Sequence, residues 1–202
     1  MQRHYYIAFL TLALFLPLAE WWDAVRPAEI WASTAPLPKG QTFFMAAKLF
    51  GMLAISLAMA QIILSAMGRL GAPGFARADH RFLGMGIGLS AAIHVGCFVT
   101  AVSLRNGHLA AQLLLPNLTN GAYDRGLAMG VLGLYLLALG LAVPLLRLRW
   151  RRLHRAVLAA VLLAMVHAIW IGSEKTYVIA MALVGGAVIL FEASRRLSRR
   201  HS

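Results

Sequence analysis

Four histidines carry the chemistry that this sequence can do. His80 and His94 lie on one apolar stretch, DHRFLGMGIGLSAAIHVGCFV (residues 79–99). His154 and His167 lie on another, LHRAVLAAVLLAMVHAIWIG (residues 153–172). The separations are 14 and 13 residues, each roughly 20 Å along a helix that rises about 1.5 Å per residue. Imidazole is the commonest metal-ligating side chain. Two helices carrying matched ladders of imidazoles can face each other and clasp two flat metal cofactors, one above the other. Heme is the cofactor that fits. Two axial imidazoles on one iron suit electron transfer, since neither axial position stays open for oxygen or substrate.

The elements that must position these side chains are membrane helices. Of 202 residues 60% are hydrophobic, the mean hydropathy is +0.73, and several apolar runs reach about 18 residues or more, enough to cross a bilayer. Six spans are expected, at 5–22, 43–67, 82–104, 127–147, 154–172 and 175–193. The fold class is therefore all-α: a polytopic membrane protein, a six-transmembrane-helix bundle with hemes between the third and fifth helices, in one domain covering 1–202. The first span is expected to stay as an uncleaved helix, its end marked by Trp21 and Trp22, which suit a membrane interface. The segment HLAAQLLLP (108–116) is expected as a short interfacial helix. Trp170 and Tyr177 are expected to anchor the tight turn between the last two spans at the interface. The single cysteine, Cys97, excludes a disulfide framework and a cysteine-rich metal site. No Walker loop, no dinucleotide-binding turn and no Ser/His/Asp constellation is evident.

The formal charge of +12 comes from arginines placed between apolar spans, which points to membrane topology and not to nucleic acid. With six spans, the N-terminus, the 68–81 and 147–155 loops and the C-terminus share one side, which holds thirteen of the nineteen Lys and Arg residues. The other side holds Arg26, Lys39, Lys48, Arg105, Arg125 and Lys175. The richer side is the cytoplasmic one by the positive-inside rule, so both termini are expected in the cytoplasm of a bacterial inner membrane. His80 and His154 then open their spans at the cytoplasmic surface, and His94 and His167 lie deeper. The natural pairs are His80/His154 and His94/His167. At about 100° per residue, 14 steps return to within about 40° of the same face, but 13 steps miss it by about 140°. The His80–His94 ladder is thus the cleaner one by phase.

An ionisable residue deep in a span is costly and marks a functional site by default. The plain alternative is a packing histidine bonded to a neighbouring helix. Gly84, Gly86, Gly88, Ala91 and Ala92 on the third span, and Ala159, Ala160 and Ala164 on the fifth, let a porphyrin edge approach the backbone, or simply let helices pack closely. Lys48, Arg81, Arg151, Arg152 and Arg155 are the candidates for contacts to heme propionates, against positive-inside anchoring or snorkelling as their plain roles. Gln61, within the second span, is a candidate to bond a cofactor or another helix.

At these residues the chain resembles the ferric-reductase-like transmembrane domain family, which includes NADPH oxidases, ferric reductases and the heme-binding membrane subunit of periplasmic methionine-sulfoxide reductase. The resemblance covers spans 2 to 6. It rests on His80, Leu83-Gly84 and His94, on Leu153-His154 and His167, and on Gly40-Gln41-Thr42 with Ala47-Lys48-Leu49, which is similar to single-domain bacterial members. It implies two b-type hemes ligated by those four histidines, and electrons carried across the membrane from a cytoplasmic donor. No flavin and nicotinamide module follows RRLSRRHS, so the expected donor is a separate flavin reductase or flavoprotein, with FMN or quinone at the cytoplasmic side. The expected acceptor is a periplasmic oxidoreductase, ferric iron or oxygen. The methionine-sulfoxide reductase subunits can lack the first histidine of the third span, whereas this chain has His80. Two other functions fit the composition. One is a quinol-linked diheme cytochrome b of a respiratory complex. The other is a non-redox transporter or assembly protein whose histidines are structural.

Overall fold

The computed structural model describes residues 2–69, 77–146 and 156–198. Within them the chain is all helical. The long helices are α1 (Gln2–Val25), α3 (Gln41–Arg69), α4 (Arg77–Asn106), α5 (Ala122–Leu145), α6 (Ala156–Ile171) and α7 (Lys175–Ser198), with a short α2 (Pro27–Ala32) after the first. These six long helices fall on the six expected apolar runs, with α4 carrying His80 and His94 and α6 carrying His167. Four of them are long and apolar enough to cross a membrane: α1 over Ile7–Val25, α3 over Gln41–Met67, α4 over Asp79–Asn106 and α5 over Ala122–Ala142. The other two are shorter. The described part of α6 is 16 residues and rises about 24 Å. The apolar part of α7 is Lys175–Phe191.

Two helix pairs make the body of the bundle, α3 with α4 and α5 with α6. Helices α1 and α7 pack on α3, and α4 meets α5 more lightly. Both pairs are antiparallel hairpins. In the first, Ala47 meets His94 and Gln61 meets His80. In the second, Gly126 meets His167, and Gly140 meets Val157. The bundle therefore has a distal end, with Gln41, Asn106, Ala122 and the 172–174 turn, and a proximal end, with Arg69, Arg77, Leu145 and Ala156. Asp79 lies in the first turn of α4 and Arg105 in its last, each complementing the helix dipole. Helix α4 opens at Arg77, so His80 and Arg81, expected in or beside the preceding loop, are already helical.

Glycine sets how closely α5 and α6 approach. A Cβ on Gly126 would lie 2.5 Å from Ile171, one on Gly140 2.4 Å from Val157, and one on Gly133 3.2 Å from the Ala160 carbonyl. Small residues allow such approach where lipid supplies no hydrophobic drive between helices. At the distal end, Gly40 takes φ +75, and a Cβ there would lie 2.6 Å from the Ala101 carbonyl. Only glycine serves at this turn into α3. Arg105 clamps the turn by donating to the Lys39 carbonyl and, at 2.8 Å, to Gln41 Oε1.

Packing fills the core between these helices. One cluster joins Trp21, Met45, Met52, Ile55, Met165 and Tyr177. Another joins Leu57, Leu64, Leu83, Ile87, Leu137 and Ala160. Trp21 is buried and donates to the Met45 carbonyl at 2.8 Å, tying α1 to α3, while Trp22 is exposed. The 108–116 segment forms only a 3-10 turn (Ala111–Leu114), shorter than the interfacial helix expected there.

Candidate functional site

Of the four histidines, the structure brings His94 and His167 together. Their ring centres are 6.4 Å apart and their planes cross at 79°. Each ring is held from behind by backbone. His94 Nδ1 lies 2.7 Å from the Ala47 carbonyl of α3, and His167 Nδ1 lies 2.9 Å from the Gly126 carbonyl of α5. A carbonyl only accepts, so both rings donate through Nδ1–H, and the lone pair of each neutral ring sits on Nε2. No hydrogen bond engages either Nε2 among the described residues. A metal-bound histidine is oriented in this way, its remote N–H fixed on a carbonyl.

Neither glycine that receives these rings stood out in the sequence. A Cβ on Gly51 would lie 2.9 Å from His94 Nδ1, and one on Gly130 would lie 2.6 Å from His167 Nδ1. Both glycines are in helices that carry no histidine, so spacing along the histidine-bearing stretches could not reveal them. A small residue does stand four positions before each, Ala47 and Gly126, but both spans are rich in Ala and Gly, so this spacing is no signal by itself.

His80 sits in a different setting. The Gln61 amide nitrogen of α3 lies 2.8 Å from His80 Nδ1 and 3.2 Å from Nε2, and donates also to the His80 carbonyl at 3.2 Å. Gln61 thus does bond another helix. Arg81 is exposed. His154, the remaining ligand candidate, and Arg151, Arg152 and Arg155, three of the propionate candidates, lie outside the described residues.

Lys48 is paired. Its Nζ donates to Glu174 Oε1 at 3.1 Å, with the two side chains 28% and 8% exposed. Ser173 Oγ donates to the same oxygen at 2.7 Å, and Glu174 Oε2 is buried without a hydrogen-bond partner among the described residues. Lys48 and Arg105 both lie over the Phe44 ring, at 5.7 and 5.0 Å. Tyr177, expected at the interface, is buried instead, its hydroxyl bonded to that of Ser56 on α3. A phenol can go inward there because Ser56 supplies the partner that its burial requires.

Two of the small residues of α4, Gly86 and Gly88, serve packing in this structure. A Cβ on Gly88 would lie 2.6 Å from Leu141 of α5, and one on Gly86 would lie 3.4 Å from Leu57 of α3. Among the described residues no group of three or more His, Cys, Asp or Glu gathers to hold a metal ion. A bare ion asks for three or four protein donors. Two imidazoles alone suit a metal whose remaining positions a macrocycle fills.

No family model, curated protein or solved structure matches the chain.

Proposed function

We propose that the chain is a transmembrane electron-transfer cytochrome of the b type, of the ferric-reductase-like kind. In this reading it has six spans and cytoplasmic termini. His94 and His167 hold one heme from opposite sides at the distal end, and His80 and His154 hold a second at the proximal end. The observation that carries it is the His94–His167 pair. With a metal–imidazole bond of about 2.0 Å and about 1.2 Å from nitrogen to ring centre, two imidazoles on opposite sides of one metal have centres about 6.4 Å apart. The observed separation is 6.4 Å. The Nδ1–H bonds to Ala47 and Gly126 leave the ligating lone pairs on Nε2 and increase their basicity.

The residues divide the work. The two carbonyls fix tautomer and ring direction before any cofactor arrives, which lowers the ordering cost of binding. Lys48 sits one residue from Ala47 and is the distal candidate to meet a propionate, provided Glu174 releases it. Arg81, with Arg151, Arg152 and Arg155, serves the proximal end. Heme held on the histidines supplies a one-electron Fe(III)/Fe(II) couple at each end. The thirteen-to-six excess of Lys and Arg supports the cytoplasmic assignment of the proximal end. It also offers a basic face to an acidic flavoprotein donor, with reduced FMN or quinol as the other donors of that side. The acceptor is then a periplasmic oxidoreductase, ferric iron or oxygen.

The test is a reduced-minus-oxidised spectrum of the protein purified from heme-replete cells, with heme counted per chain. Two b-type hemes are expected, falling by at least one in His167→Ala. A colourless wild type would overturn the proposal in favour of a membrane protein with structural histidines.

A further inference from the structure

The two hairpins present the same local device. On α3 a carbonyl at Ala47 is followed four residues later by Gly51, and His94 of the partner helix donates to the one and lies against the other. On α5 the carbonyl of Gly126 is followed four residues later by Gly130, and His167 of the partner helix does the same. Residues four apart are stacked on one helix face, so carbonyl and glycine together make a flat bay the width of an imidazole. We infer that Gly51 and Gly130 are ring seats: positioning residues that, with the Ala47 and Gly126 carbonyls, fix the planes of His94 and His167 near 79° and their protons on Nδ1.

Each seat works by what it lacks. A methyl group at Gly130 would stand 2.6 Å from Nδ1 and 2.9 Å from Cε1 of His167. Real carbon contacts do not come so close, so the ring must rotate or withdraw, and its bond to Gly126 is lost. At Gly51 the corresponding distances are 2.9 and 3.2 Å from His94, a milder collision. Gly96 lies on the same helix as His94, and a methyl group there would meet nothing within 4 Å, so it serves as the control. The seats matter electronically once a heme is bound, a consequence that rests on the function proposed above. Crossed imidazole planes donate into different iron d orbitals and leave them nearly equal in energy. A low-spin ferric site of that kind gives a strongly anisotropic electron paramagnetic resonance signal with one large g value, whereas parallel planes give an ordinary rhombic one.

Two measurements separate the seats from the heme reading. The first needs no heme. Nitrogen-15 histidine spectra of the full chain in detergent are expected to show His94 and His167 as Nδ1–H tautomers in the wild type and in Gly96→Ala. Gly130→Ala is expected to lose this for His167, and Gly51→Ala for His94. The second uses hemin as the probe. The wild type and Gly96→Ala are expected to give the large-g signal, and each seat variant to bind hemin at the distal site about tenfold or more weakly, with any retained signal shifted toward the rhombic form. If Gly130→Ala does not accumulate, Gly51→Ala decides. Unchanged tautomers in the seat variants would overturn the seats, as would an unchanged hemin signal in them. A wild type that shows the tautomers but takes up no hemin would leave the seats standing and sink the cytochrome.

Discussion

The two ends of α4 treat an imidazole in opposite ways. At the distal end His94 faces a carbonyl, which can only accept, so the ring gives its Nδ1 proton to the backbone of α3. At the proximal end His80 faces the Gln61 amide nitrogen, 2.8 Å from Nδ1 and 3.2 Å from Nε2; an amide N–H only donates, so whichever ring nitrogen accepts it, the Nε2 lone pair is either protonated or engaged. The first arrangement leaves Nε2 ready to ligate. The second readies it only after the glutamine amide turns its oxygen to the ring. Spacing cannot report this difference. Fourteen residues place the two histidines on nearly one face, but the groups behind them decide which nitrogen carries the lone pair.

The largest expected effect comes from breaking the prepared end. His94→Ala or His167→Ala should abolish the distal heme, seen as a loss of at least one heme per chain in a pyridine hemochrome assay. His80→Ala should leave the distal signal in place. If His80→Ala instead removed all heme while His94→Ala removed none, the contrast between the ends would be reversed.

A smaller effect is expected from the ion pair that pins the distal end. Lys48→Met leaves Glu174, only 8% exposed, with a buried carboxylate and no cation. Breaking such a pair from one side costs several kcal/mol when both partners are buried. Lys48 is itself 28% exposed, so about 2 kcal/mol is expected, read as a lower melting temperature in detergent. The double change Lys48→Met with Glu174→Met should recover most of the loss, because no charge is then left unpaired. A double variant no better than Lys48→Met would show that the pair contributes packing and not charge.

The sequence is legible where a residue's own helix carries the signal. Six apolar runs predict the six long helices. The meeting of His94 with His167 also agrees with matched depth alone. What stays hidden is held by other helices. Gly51 and Gly130 act on rings that lie 43 and 37 residues away in the chain, and no periodicity links a glycine to an imidazole at that distance. Tyr177 reads as an interfacial aromatic until Ser56 is seen opposite it. Gly86 and Gly88 read equally as cofactor bays and helix contacts, and only the positions of Leu57 and Leu141 decide between them.

The smallest expected effect tests the unprepared end. Gln61→Leu removes a half-buried amide that bonds both the ring and the carbonyl of His80. About 1 kcal/mol of stability is expected to go with it, while the distal heme should keep its spectrum and potential. Gln61→Glu replaces the amide donor with an acceptor. It is expected to hold the Nδ1 proton as the carbonyls do, to present His80 Nε2 as a stronger ligand, and so to lower the midpoint potential of the proximal heme alone. Stability measured alone cannot report the proton, because a carboxyl placed in the span carries its own desolvation cost. The potential can, because it follows the basicity of the ligating nitrogen, which only the acceptor raises. Equal proximal potentials in Gln61→Leu and Gln61→Glu would mean that Gln61 packs against His80 without setting its proton.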